Sequence, residues 1–175
     1  MRVNTKRRKI KRAIKSVILN LYYFGTLSKR ILFGDNINIE GRVFLSSRIK
    51  LDDNVELRNL TKEDLSIDSG TAINRNTVIR GKVQIGKNVG IAPNCMIIGS
   101  NHVFSDPNSD IKKQGSRQLG VIIQDDVWVG ANTVILDGVT IGTKSIIGAG
   151  SVVTKSIPSY SIAVGNPCRV IKVRE

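Results

Sequence analysis

Histidine, cysteine and aromatic residues are scarce in this chain of 175 residues. It has one histidine, His102, and one tryptophan, Trp128, and aromatic residues make up only 5% of the sequence. The two cysteines, Cys95 and Cys168, lie 73 positions apart with no CxxC motif and no Cys/His cluster. This spacing argues against a zinc site and against a disulfide framework. We therefore expect no metal, and two free thiols in a reducing cytoplasm.

Acidic residues are absent from the first 34 positions, where ten of the 27 basic residues lie. The remaining positions hold 17 basic and 14 acidic residues, so most of the formal charge of +13 belongs to an N-terminal arm. The longest uncharged run of this arm, positions 16–28, has 13 residues and is too short to span a bilayer. We expect neither a transmembrane helix nor a signal peptide.

The arm, residues 1–32, has the pattern of an amphipathic helix. Its apolar positions fall on one helical face: Ile10, Ile14, Val17, Ile18 and Leu21. Residues 1–25 then either lie on an anionic membrane surface, or the arm packs on the end of the following domain and covers it. Nucleic-acid binding is not expected, because the body of the chain is not basic and no recognition motif is present.

A repeat of six residues organises the rest of the sequence. Aliphatic residues recur every sixth position in two series with one register: Ile67, Ile73, Ile79, Ile85, Ile91 and Ile97, then Ile123, Val129, Ile135, Ile141, Ile147 and Val153. A helix cannot place this period on one face. Short strands joined by turns can place every sixth residue on one side. Three such units close a triangular coil of about 18 residues, and successive coils stack at the strand spacing of a parallel sheet.

The repeat predicts an all-β fold, a left-handed parallel β-helix over residues 33–158, followed by a C-terminal tail over 159–175. Residues stacked one coil apart should include Ile123 on Ile141, Val129 on Ile147 and Ile135 on Val153. Between the two series, the polar segment 99–120 leaves the repeat and must project from the coil. Long loops on rigid scaffolds are often functional.

Several motifs resemble the hexapeptide-repeat acetyltransferases, in particular the galactoside and maltose acetyltransferases and the small O-acetyltransferases of bacterial surface polysaccharides. The resemblance covers about residues 33–172 and is most specific in the C-terminal third. It is carried by Val127-Trp128-Val129-Gly130-Ala131, Asp137-Gly138-Val139-Thr140-Ile141-Gly142, Ile147-Gly148-Ala149-Gly150-Ser151 and Gly165-Asn166-Pro167-Cys168-Arg169.

The resemblance implies that His102 is the catalytic base. In this family a histidine follows the Asn of an Ala-Pro-Asn turn by eight residues, as His102 follows Ala92-Pro93-Asn94 here. Imidazole titrates near neutral pH and can accept the proton of an attacking hydroxyl. Asp106 is expected among the substrate-binding residues and is a candidate for orienting His102, as is a backbone carbonyl. The alternative is that Asp106 forms an Asx turn before Pro107.

Further site residues follow from the same resemblance. Asn94 and Trp128 are expected near the acceptor, although Asn94 is also suited to a corner of the coil. The groups expected to bind acetyl-CoA, the acetyl donor, are two small-residue corners and a C-terminal basic set: Gly130, Ala131, Gly148, Ala149, Lys155, Arg169 and Lys172.

The implied protein is a cytoplasmic homotrimer that transfers acetyl groups to sugar hydroxyls, with active sites between subunits. Two alternatives stay open at this point. The chain is an acyltransferase for a non-sugar acceptor, or it is a non-catalytic β-helix that serves as a binding or scaffold protein. The sequence does not specify the acceptor.

Overall fold

The computed structural model describes residues 30–59 and 64–175, and nearly all of its regular structure is β. One short 3₁₀ helix, Ile111–Lys113, interrupts the series of strands. The strands are β1 (Leu32–Phe33), β2 (Asn38–Gly41), β3 (Val43–Leu45), β4 (Lys50–Leu51), β5 (Glu56–Asn59), β6 (Leu65–Ile67), β7 (Ala72–Ile73), β8 (Val78–Gly81), β9 (Val83–Ile85), β10 (Gly90–Ile91), β11 (Met96–Gly99), β12 (Asn101–His102), β13 (Ser116–Arg117), β14 (Val121–Ile123), β15 (Trp128–Val129), β16 (Val134–Ile135), β17 (Thr140–Ile141), β18 (Ile146–Ile147), β19 (Val152–Val153), β20 (Ser161–Val164) and β21 (Arg169–Val173).

Successive strands fall in turn on three sheets that form the faces of a prism. Sheet A has the order β1-β4-β7-β10-β15-β18-β20-β21, sheet B the order β19-β16-β11-β8-β5-β2, and sheet C the order β17-β14-β9-β6-β3. Neighbouring strands are parallel, except for the last pair of sheet A, β20 with β21. The predicted parallel β-helix is confirmed.

The interior contains a stack of aliphatic side chains, with small polar side chains buried beside it. All twelve residues of the two predicted series are buried, with exposed fractions of 0–3%. The three predicted stacking pairs are register partners: Ile123 with Ile141, Val129 with Ile147, and Ile135 with Val153. Burial of every sixth side chain inside the prism enclosed by the three sheets is therefore the physical origin of the aliphatic repeat.

The turns from sheet A to sheet B, here called the A/B corner, carry a ladder of asparagines. Each ladder asparagine has a positive φ of 54–61°, a conformation that asparagine tolerates better than most residues. Amide-to-amide hydrogen bonds of 3.0–3.2 Å join them in series: Asn36, Asn54, Asn76, Asn94 and Asn132.

The turns from sheet B to sheet C, the B/C corner, carry two insertions. Register partners are 18 residues apart in most coils, but Leu45 pairs with Ile67 and Ile85 with Ile123. The second offset is the predicted projecting segment 99–120. The first was not predicted, and it reflects four extra residues in the coil that contains 60–63.

The two ends of the described chain differ from the predicted boundaries in detail. Ile31 is already buried in the core, and most of the predicted arm, residues 1–29, lies outside the described residues. At the other end the parallel coils continue through β20 to Val164 rather than ending at 158. Within the described residues, no helix is long and apolar enough to cross a membrane.

Candidate active site

The projecting loop, residues 99–120, is closed at its base on the backbone of Lys82. Lys82 N donates to Gly99 O at 3.3 Å, where the loop begins, and Lys82 O accepts from Val121 N at 3.0 Å, where sheet C resumes. A Cβ on Gly99 would collide with the Lys82 carbonyl, so this close approach requires glycine. The loop thus departs from a rigid coil at a defined point.

The loop is a short antiparallel hairpin with a braced tip. Strand β12 pairs with β13, so that His102 lies opposite Ser116. Val103 N donates to Gly115 O at 3.1 Å and extends the pairing. At the tip, the side-chain amide of Gln114 donates to Asp106 O and Ser109 O, each at 2.9 Å. The hairpin therefore holds His102 on an ordered strand, close to the body of the protein.

The imidazole of His102 is exposed, as a base that receives a substrate proton must be. Among the described residues, no group makes a hydrogen bond with the ring. The Asp106 carboxylate accepts from Asn108 N at 2.9 Å and so forms the Asx turn that was the alternative to an orienting role. An orienting or substrate-binding role for Asp106 remains a prediction.

Asn94 lies at the A/B corner, on a different edge of the prism. Its amide nitrogen donates to Asn132 and its amide oxygen accepts from Asn76. The side chain thus has the structural role of a corner asparagine. Its expected contact with the acceptor remains a prediction.

Trp128 covers part of the outer face of sheet A. Its indole lies over Gly90, where a Cβ would come within 2.5 Å of Cε3 of the ring, and the side chain is 49% exposed. A groove beside it is lined by Ile146, Lys144 and Arg174. Trp128 and His102 belong to different parts of this chain, sheet A and the loop at the B/C corner.

The predicted donor-binding corners stack directly on each other at the A/B corner. Gly130 N donates to Ile147 O and Gly148 N to Ala163 O, both at 2.8 Å, so these two amides already have partners within the coil. Within the described part of the chain, the N–H groups of Ala131 and Ala149 have no acceptor. Backbone donation to a ligand is therefore possible from the two alanines, and the two glycines provide the close packing.

The predicted basic set is divided. Arg169 begins β21 opposite Val164, whose side chain packs on Gly148, so Arg169 is close to the stacked corners. Lys172 lies further along the same strand, opposite Ile162. Lys155 follows β19 and lies at the B/C corner. Of the three cations, Arg169 is therefore the one that the strand register relates to Gly148, through Val164.

Neither thiol has the environment of a nucleophile. Both sulfurs are buried, and burial raises the pKa of Cys95 and of Cys168. Backbone hydrogen bonds lower the pKa of Cys95, but by less than burial raises it. The Ser151 hydroxyl and the Arg169 charge lower the pKa of Cys168, again by less than burial raises it. The Cys95 thiol donates to Gly130 O at 3.2 Å and so helps to hold the donor-binding corner.

We predict that the native thiols react slowly with iodoacetamide at every pH below the ordinary thiol pKa of 9.0. A raised pKa keeps each thiol protonated, and only the thiolate is alkylated. In urea both residues should react quickly, with a rate that rises towards pH 9. Mass spectrometry of the alkylated peptides measures both rates. Rapid labelling of the native protein at neutral pH would contradict this assignment.

Two positions at the base of the loop were not assigned a role from the sequence: Arg117 and Asp137. Asp137 lies at the B/C corner in the coil after the loop, and its carboxylate accepts from Gly120 N at 2.8 Å. An acidic residue in a tight corner next to an insertion is a weak signal, because most corner aspartates only cap turns. Asp137 differs from such aspartates in its contacts with Arg117 and Gly120 of the loop.

Comparison with known proteins supports the family assignment. A family described as bacterial transferase hexapeptide (six repeats) matches residues 120–155. A maltose O-acetyltransferase from Clostridium difficile 630 is 30% identical, and the match covers 95% of this chain and 88% of that one with a TM-score of 0.56. The chain belongs to the hexapeptide-repeat transferases.

Other acyltransferases match parts of the chain or its fold. The galactoside O-acetyltransferase of Escherichia coli K12 is 45% identical over 91 residues, which is 51% of this chain and 43% of that protein. The chain spans about half the length of the curated relatives it matches, from 42% to 66%. An N-acyltransferase from Bacillus cereus, crystallised with dTDP and coenzyme A, shares the fold with a TM-score of 0.76 at 23% identity, covering 91% of this chain and 89% of that one.

Proposed function

We propose that this hexapeptide-repeat transferase moves an acetyl group from acetyl-CoA to a hydroxyl of a sugar, in the synthesis of a surface polysaccharide. The observation that carries the proposal is an exposed histidine on a braced hairpin, in a chain related to galactoside and maltose O-acetyltransferases. Coenzyme A is bound by the B. cereus relative, which supports an acyl-CoA donor.

The proposed chemistry is a direct transfer between two bound substrates. His102 takes the proton of the acceptor hydroxyl while the hydroxyl oxygen bonds to the thioester carbonyl carbon. The carbonyl oxygen becomes an oxyanion, which backbone N–H groups stabilise. Collapse of this intermediate breaks the C–S bond, and the protonated His102 returns the proton to the leaving thiolate. No acetyl-cysteine forms, in keeping with the buried thiols.

The donor-binding groups proposed are Ala131, Ala149 and Arg169, with Lys155 and Lys172 as further contacts for phosphates. Backbone N–H groups suit the amides of the pantetheine arm, and a guanidinium suits phosphate oxygens. His102 and Ala131 lie on two different edges of one prism. The proposed arrangement is a homotrimer in which the hairpin of one subunit meets the A/B corner of the next.

A thiol-release assay tests the proposed activity. Acetyl-CoA is offered with neutral sugars, nucleotide-linked sugars and amino sugars, and free coenzyme A is measured with and without each acceptor. The proposal predicts release that depends on a sugar hydroxyl. Release that depends on an amino group instead would favour the second candidate, an N-acyltransferase, which the fold of the B. cereus relative supports. No release with any acceptor, and no thermal shift with coenzyme A, would favour a non-catalytic protein.

We also propose that residues 1–25 attach a cytoplasmic enzyme to the inner membrane face. These 25 residues hold eight basic side chains and no acidic one. A basic residue near an anionic leaflet contributes about 1 kcal/mol.

We predict that the full chain sediments with vesicles containing phosphatidylserine at low salt and dissociates at high salt. Deletion of residues 1–25 should abolish sedimentation, because it removes eight basic residues and lowers the formal net charge from +13 to +5. The matched control is the full chain with neutral vesicles. Equal sedimentation of the truncated chain would contradict the membrane role, and a lower unfolding temperature without any loss of lipid binding would support the covering role instead.

A further inference from the structure

The carboxylate of Asp137 is a buried charge that the proposed chemistry does not use. Its side chain is 1% exposed. Oδ1 accepts from Gly120 N at 2.8 Å, whereas Oδ2 is buried with no hydrogen-bond partner. A buried ionised group is costly unless it is paired, so a second interaction with Oδ2 is expected to matter.

Arg117 supplies that interaction. Its Nε lies 3.8 Å from Oδ2 of Asp137, an ion-pair distance that is longer than a hydrogen bond. Arg117 belongs to β13 and lies opposite Asn101, and the adjacent pair is Ser116 with His102. The strand held by Asp137 is therefore the partner strand of His102.

The corner formed by Asp137 and Gly138 also binds the end of the loop through backbone hydrogen bonds. Gly138 N donates to Gly120 O at 2.7 Å, so Gly120 and the Asp137–Gly138 corner exchange two hydrogen bonds. Leu119 packs on Gly138, because a Cβ on Gly138 would lie 3.1 Å from Cδ1 of Leu119. The segment that follows β13 is thus attached to the next coil by three contacts, which Leu119 and Gly120 make.

We propose that Asp137 is a positioning residue: it anchors β13 through Gly120 and Arg117 and thereby sets the place of His102 relative to the two substrates. This inference rests on the proposed function. Catalytic geometry is sensitive to small displacements, and a shift of about 1 Å can reduce a rate by about 10²-fold. Asp137→Ala removes both interactions, and Asp137→Asn keeps an acceptor for Gly120 but removes the charge that faces Arg117.

The test combines kinetics with amide hydrogen exchange. We expect Asp137→Ala to lower kcat by about 10–10²-fold, and Asp137→Asn by less, with no change in the Kd of coenzyme A. In the His102→Ala background, Asp137→Ala should cause no further loss, because the residual rate does not depend on the position of His102. Exchange should be faster at Val103 and Gly120 and unchanged in the coils. The matched control is Asp125→Ala, because Asp125 also accepts a backbone bond at a corner, from Lys87 N at 2.7 Å, away from the loop.

Two results would overturn the inference. One is an equal loss of rate on replacing Asp137 whether or not His102 is present, which indicates a general structural role. The other is unchanged exchange in the hairpin of Asp137→Ala. If the unmodified enzyme transfers no acetyl group to any acceptor, the proposed function fails, and the exchange measurement still decides whether Asp137 holds the hairpin.

Discussion

Replacing His102 by alanine is expected to lower turnover by about 10²–10⁴-fold, the usual contribution of a general base. The reason is that a sugar hydroxyl is a weak nucleophile until its proton is accepted, and His102 is the only histidine of the chain. The rate of coenzyme A release with saturating acceptor measures the effect. The affinity for coenzyme A should be unchanged, because His102 is not one of the proposed donor-binding groups.

Two controls make the His102 result specific. Lys112→Ala changes another exposed residue of the same loop and should keep full activity. Unfolding curves of the His102→Ala protein should match those of the parent, because the imidazole is exposed and has no hydrogen-bond partner in the described structure. Near-normal turnover in His102→Ala would remove the proposed mechanism.

Replacing Ile97 by alanine is expected to reduce the free energy of unfolding by about 2–5 kcal/mol, the range for deleting a large buried aliphatic side chain. Ile97 is fully buried and lies in register between Ile79 and Ile135, one coil to either side. The cavity would form in the middle of the stack, directly before the loop. Urea unfolding followed by circular dichroism measures the loss.

Met96 provides the matched control for Ile97. It precedes Ile97 in β11 but points outwards, and it is 45% exposed. Met96→Ala should therefore change the free energy of unfolding by no more than about 0.5 kcal/mol. Equal effects at the two positions would contradict the inward and outward assignment on which the whole fold description depends.

The fold was readable from the sequence because its core obeys a strict rule. In a coil with three flat faces, every sixth side chain points inwards, so Ile123, Val129 and Ile135 had to be apolar. The four extra residues near 60–63 were missed because the insertion is short and falls where the aliphatic series is weakest. Nothing in the polarity of those residues distinguishes them from a corner.

The site was readable only in part. His102 was predicted as the base from the family resemblance, through its spacing from Ala92-Pro93-Asn94, and this role remains a prediction. Residue types do not show which polar groups already form hydrogen bonds within the protein. Asp106 forms a turn, Asn94 forms a ladder, and the amides of Gly130 and Gly148 are used within the coil. The role inferred for Asp137 depends on contacts across 17–20 positions, which no local pattern encodes.

The most direct test of the central claim is to identify where the acetyl group goes. The enzyme is incubated with isotopically labelled acetyl-CoA and the best acceptor from the sugar panel, and both protein and product are analysed by mass spectrometry and NMR. The account predicts one labelled acetyl ester on a sugar oxygen and no label on Cys95 or Cys168. Label retained on a cysteine would contradict direct transfer, and an amide product, or an unlabelled sugar, would contradict the O-acetyltransferase assignment.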